Sequence, residues 1–185
     1  MAYASPQNLS QSLDINDKLD DLQLCGVYAS DIYEYLCQME VKWYLPNYLE
    51  KVQNDVITNM RGILVDWLVD AAEEYKLLPD TLYLSISYID IFLSLNVLNR
   101  QKLQLLGVSS MLIASKYEEI TPLKVDEFCD ITDNTFSTIE VVKMEADILK
   151  LLMFEMGNPT IKTFLRQGHS WEFMDFVCVF VIDDA

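Results

Sequence analysis

Through the middle of the chain apolar residues recur every three to four positions, a period that predicts helices and leaves no strand-like alternation. The most telling run lies between Asn59 and Lys76, a predicted helix that is apolar on two sides. Val65, Leu68, Ala72 and Tyr75 form one stripe, headed by Arg61, and Met60, Ile63, Leu64 and Trp67 form a second beside it. Gly62, Asp66, Asp70 and Glu73 fill the narrow polar strip. A helix oily on two sides either lies deep in a bundle or keeps one side for a partner. An arginine on the core side keeps its charge, so Arg61 needs a buried acid.

The same reading divides the rest of the chain. Residues 1–26 are rich in Ser, Gln, Asn and Asp, lack periodicity and predict a disordered N-terminal arm. Residues 27–58 hold an N-terminal helix, capped by Ser30 with Ile32, Tyr35, Leu36 and Met39 inward, and a connector over Val41–Asn54 broken by Pro46. Residues 59–157 carry five helices. After the first, Leu78-Pro79-Asp80 breaks the chain and Asp80 is expected to cap a second helix to Leu95, with Leu82, Ile86, Ile89 and Leu93 inward.

A third helix is predicted over Gln101–Glu118, a short fourth over Lys124–Cys129, and a fifth from the Ser137-Thr138-Ile139-Glu140 capping box to Phe154. Gly157-Asn158-Pro159 then stops the pattern. Residues 158–185 begin as a linker and end in a β-prone, uncharged run, Phe176 to Ile182, unlike what precedes it.

Three further charges stand among apolar neighbours. Asp90 lies between Ile86 and Leu93, Lys116 follows Val108 and Leu112, and Glu145 lies between Val141 and Leu149. Lys and Arg can reach water from such places on long stems, but Asp90 is too short to do so. Arg61 and Asp90 are therefore expected to pair and lock two helices. Lys116 and Glu145 are either boundary residues or a pair turned toward a groove where a partner supplies the missing hydrogen bonds. The Met60, Ile63, Leu64 and Trp67 stripe is either core or an exposed groove edged by Asp70, Glu73 and Glu74. Such a groove suits a short peptide with a basic residue followed by leucine.

Composition narrows the partners. Thirteen basic against 29 acidic residues leave a formal charge of −16 in 185 residues, which disfavours nucleic acid and anionic membranes and favours basic peptides. Cys25, Cys37, Cys129 and Cys178 show no Cys-x-x-Cys spacing, so no metal site is expected and reduced thiols in an intracellular protein are. The single histidine, His169, lies in the aberrant tail, and the five glycines are scattered. No catalytic residue and no cofactor are expected.

Met60-Arg61-Gly62-Ile63-Leu64-Val65-Asp66-Trp67-Leu68-Val69 resembles the opening helix of the cyclin box. Tyr88-Ile89-Asp90, Lys102-Leu103-Gln104-Leu105, Ser115-Lys116-Tyr117-Glu118-Glu119 and Met144-Glu145 follow in that family's order and spacing. Over Tyr28 to Arg166 the chain is most similar to A-type cyclins, in wording close to the plant members. The resemblance implies an all-α fold, a five-helix cyclin-box bundle preceded by an N-terminal helix. It further implies a non-catalytic regulatory subunit that binds and activates a cyclin-dependent kinase and docks its substrates in the mitotic cell cycle, in nucleus and cytoplasm.

Residue roles follow from that resemblance alone. Arg61 and Asp90 match the family's internal ion pair, and Leu105 its core leucine. Lys116 and Glu145 match the charges that engage the kinase, with Ile32, Tyr35, Ile113, Tyr117, Phe136, Leu149, Phe154 and Met156 on the same surface. Met60, Ile63, Leu64, Trp67, Asp70, Leu103 and Gln104 match the patch that docks substrates and inhibitors carrying basic-x-leucine motifs.

Several positions depart from the family pattern. Gly62 stands where alanine is frequent, Asp70 where glutamate is usual, and Ile91 where arginine commonly follows the aspartate. The connector at Trp43–Pro46 is short. After Arg166 the family continues into a second five-helix domain, whereas here the wording changes, so the second box is expected to be missing. Two alternatives follow: a truncated remnant that no longer activates a kinase, or a cyclin-box scaffold of transcription machinery, which would need a basic face.

Overall fold

The computed structural model describes residues 28–42 and 48–166, so the expected N-terminal arm, the Trp43–Pro46 connector and the β-prone tail lie outside the described residues. Among the described residues eight α-helices follow one another: α1 (Ala29–Lys42), α2 (Tyr48–Lys51), α3 (Thr58–Glu74), α4 (Pro79–Leu95), α5 (Leu103–Glu118), α6 (Val125–Ile131), α7 (Thr138–Leu151) and α8 (Ile161–Arg166). The described residues contain no strand. Helices α3 to α7 are the five that the apolar period predicts.

The axis of the bundle is α5, which packs chiefly against α4 and α7. Leu103 and every residue from Leu105 to Ser115 are buried. Its only polar residues there besides Gln104 are serines, small enough to sit inside, and Ser109 donates to the Val141 carbonyl of α7 at 3.3 Å. A methyl group at Gly107 would meet Leu64 Cδ1 at 2.9 Å, so glycine lets α3 lie close on α5. Helix α4 is poor in strong helix formers, yet buries Leu84, Tyr88, Ile89, Ile91, Phe92 and Leu93. Each buried side chain of that size contributes roughly 1.5–3 kcal/mol, against propensity losses below about 0.7 kcal/mol per residue. Packing holds α4 together.

Helix ends depart from the sequence reading in instructive ways. Helix α1 starts at Ala29, so Ser30 lies inside it, and it runs to Lys42, into the stretch expected as connector from Val41. The connector itself forms α2, one short turn. Asp80 does not cap α4. Glu119, at the far end of α5, accepts the Leu78 N–H and the Thr81 hydroxyl at 2.7 Å each, while Asp80 pairs with Lys162 of α8 at 2.6 Å. A 3₁₀ turn, Arg100–Lys102, replaces the expected first turn of α5. Helix α7 opens on the Ser137–Glu140 capping box but ends at Leu151, because Met153 and Phe154 turn left-handed at φ 51° and 61°. Among the expected inward residues of α1, Leu36 is buried, Ile32 and Met39 are half-buried, and Tyr35 faces solvent.

Candidate partner-binding surfaces

Helices α3 and α4 are joined by Arg61 and Asp90. The guanidinium donates Nε–H to Oδ1 and Nη2–H to Oδ2, both at 2.7 Å. Tyr48 of α2 donates its hydroxyl to Oδ1 at 2.5 Å, a third member that the sequence did not announce. Hydrogen bonding to Asp90 holds the Arg61 charge more firmly than usual despite desolvation. Burial, reinforced by the Asp90 charge, pushes the Tyr48 phenol up, which keeps it protonated and donating. Ile91, beside the pair, is buried.

Lys116, in the last turn of α5, donates to Glu145 Oε1 of α7 at 2.6 Å. The lysine side chain is 45% exposed and the glutamate 12%, so the charges meet at the boundary between core and solvent. Tyr117, Phe154 and Tyr35 are exposed aromatic rings, and Ile32, Phe136, Leu149 and Met156 are half-buried. Lys42 pairs with Glu155, which brings the end of α1 beside Phe154 and Met156. The Met156 carbonyl accepts the Tyr88 hydroxyl at 2.7 Å, fixing the segment after α7 to α4. Ile113 is the exception among the expected surface residues: at 2% exposure it belongs to the core, because α5 is covered on every side at that level.

A separate groove of about 450 Å³ lies between α3 and the start of α5. Met60, Ile63, Leu64, Trp67, Leu103 and Gln104 line it, together with Arg100 and Gln101 of the 3₁₀ turn. Leu64 and Leu103 are buried and form the floor, so the second stripe of α3 is both core and groove. Ile63 is 61% exposed on the wall. Asp70 is not part of the lining; it stands in solvent one turn beyond Trp67. The sequence pattern starts a regular helix at Gln101 and assigns Arg100 to no element, so it does not show that both lie on a turn beside the groove.

The wall carrying Arg100 is held by residues that sequence also hid. Gln53 donates to the carbonyls of Leu93 and Asn96 and accepts the Leu98 N–H at 3.1 Å. Asp55 accepts the Arg100 N–H at 3.0 Å. Among the described residues no group of three or more His, Cys, Asp or Glu could hold a metal, and no helix is long and apolar enough to cross a membrane. Cys37 and Cys129 are free thiols, the second buried.

Residues 31–157 match the family model for the cyclin N-terminal domain. The chain is 67% identical over 156 residues to the G2/mitotic-specific cyclin C13-1 of Daucus carota, covering 83% of this chain and 46% of that protein. It is 64% identical over 163 residues to cyclin-A3-2 of Arabidopsis thaliana, covering 86% and 44%. It thus spans a little under half the length of these two relatives. Among solved structures, a viral cyclin from herpesvirus saimiri superposes with a TM-score of 0.58 at 26% identity, over 66% of this chain and 55% of that one. The helical bundle and the family match over most of its length lead to one conclusion: the chain belongs to the cyclin family, and is similar to the plant A-type members.

Proposed function

We propose that this chain is the regulatory partner of a cyclin-dependent serine/threonine kinase, acting in the cell cycle in nucleus and cytoplasm. The observation that carries the reading is the Lys116–Glu145 pair, a 2.6 Å contact with its lysine open to solvent. The lysine keeps donor capacity open to solvent beside a largely covered carboxylate, so the pair is placed to anchor another polypeptide as well as to join α5 and α7. In this reading the surface favours the active arrangement of the kinase, in which its regulatory helix moves inward and completes the Lys–Glu pair used in phosphoryl transfer. Only higher affinity for that arrangement can shift the equilibrium. The groove of Met60, Ile63, Trp67 and Gln104 takes basic-x-leucine segments of substrates and inhibitors, raising their local concentration.

The test is recovery of a purified cyclin-dependent kinase on immobilised chain, compared with the Lys116→Ala/Glu145→Ala variant. Loss of recovery in a variant that keeps its helical circular dichroism supports the reading. Equal recovery defeats it.

A further inference from the structure

The link from Glu119 to Lys124 joins α5 to α6, and it is extended at both ends, Glu119 at φ −82°, ψ 139° and Lys124 at φ −77°, ψ 158°. Ile120 is 99% exposed, and Thr121 and Pro122 after it face solvent. Among the described residues neither the Thr121 hydroxyl nor the main chain from Ile120 to Leu123 takes part in a hydrogen bond. The link is held from its ends instead. Glu119 accepts the Leu78 N–H and the Thr81 hydroxyl, the Lys124 N–H donates to Glu127 at 2.7 Å, and Leu123 rests half-buried on the core. Pro122 keeps the residue before it out of helical backbone. Thr121 therefore carries its hydroxyl on open, extended chain, with no hydrogen bond to break before another protein takes it up.

Thr121-Pro122-Leu123-Lys124 has a chemical meaning beyond that of a helix breaker. An enzyme that seats an extended chain must pair the N–H after the acceptor residue or leave it unpaired at a cost. Proline has no N–H, so it suits a pocket that offers no acceptor there. Two residues later, Lys124 is exposed, makes no ion pair among the described residues, and can meet an acidic group on the enzyme. Ser5-Pro6, the other Ser/Thr-Pro pair of the sequence, has no basic residue at that spacing. We propose that Thr121 is phosphorylated by a proline-directed serine/threonine kinase. Its Oγ1 attacks the γ-phosphorus of the ATP held by that kinase. The Oγ1–P bond forms, the bond from that phosphorus to the β,γ-bridging oxygen breaks, and ADP leaves with the electron pair. The hydroxyl proton passes to the catalytic aspartate of the kinase. The product adds about 1.5–2 negative charges to a stretch, residues 118–127, that holds four acids and Lys124 as its one cation. This proposal does not depend on the role of Lys116 and Glu145.

The test incubates the full, folded chain with ATP and a proline-directed kinase that is already active, a cyclin-dependent kinase bound to another cyclin. Mass spectrometry then locates the phosphate and follows its appearance with time. The parent is expected to gain phosphate on Thr121. Lys124→Ala, with circular dichroism like the parent's, is expected to gain it several-fold more slowly. Absence of phosphate on Thr121 of the folded chain, or its appearance only after heat unfolding, overturns the proposal. An unchanged rate in Lys124→Ala overturns the recognition on which it is built.

Discussion

Arg61 grips Asp90 side-on, with two parallel hydrogen bonds of 2.7 Å that tie the start of α3 to the middle of α4. Such a forked pair is the strong form of a charge contact. Asp90 is 17% and Arg61 31% exposed, so removing the arginine strands a largely covered carboxylate. Breaking buried pairs costs roughly 3–5 kcal/mol, and the partial exposure here points to the lower end, about 3 kcal/mol. Arg61→Ala is expected to lower the unfolding free energy, read from a urea titration, by that amount. A Tyr48→Phe chain, losing one neutral donor, should lose only about 1 kcal/mol. Equal losses in the two variants would contradict the ranking.

Gln53 holds the wall of the groove from behind. Its amide serves the Leu93 and Asn96 carbonyls and the Leu98 N–H, all away from water or nearly so. Gln53→Leu leaves three main-chain groups unpaired and is expected to cost about 2–3 kcal/mol. The same substitution should also speed amide hydrogen exchange at Leu98 and in the Arg100–Lys102 turn. Unchanged exchange there would show that the wall is held by other contacts.

Trp67 and Ile63 make the open side of the groove. Trp67→Ala is expected to reduce phosphorylation of substrates carrying a basic-x-leucine segment several-fold, sparing peptides that lack it, because docking acts only through local concentration. A uniform loss on both, measured with the same kinase complex, would remove the docking role.

The capping box of α7 gives a pH dependence. Hydrogen bonds from the Ser137 backbone and hydroxyl hold the Glu140 carboxyl below the usual carboxylate range. A carboxyl lowered in the folded state stabilises it above the unfolded value, about 4.3, and that contribution is lost as pH falls through the folded value. The stability gap between the parent and Glu140→Gln should therefore be present at neutral pH and close on acidification. A gap that widened toward acid would contradict the assignment.

Much of this architecture was legible because helical periodicity and its breakers are local signals. Pro79 opens α4, and the Thr121-Pro122 and Gly157-Asn158-Pro159 interruptions fall between helices. Arg61 and Asp90 were legible as partners because each is a charge among apolar neighbours. Tyr48, Gln53 and Glu119 were not, because each acts across 38 or more positions and carries no local oddity. Asp80 illustrates the same limit: locally it is a good cap, but Lys162 takes it away. Periodicity likewise could not tell that Leu64 closes the core while Ile63, one residue before it, stands in solvent.

The central claim concerns Lys116 and Glu145, and a charge exchange separates its two readings. Lys116→Glu/Glu145→Lys keeps an ion pair between α5 and α7, so the bundle should melt within a few degrees of the parent. Affinity for a purified cyclin-dependent kinase, read by titration calorimetry, is predicted to fall at least tenfold, because each charge then faces the wrong partner group. Affinity equal to the parent's would contradict the account, reducing the pair to a strut between two helices.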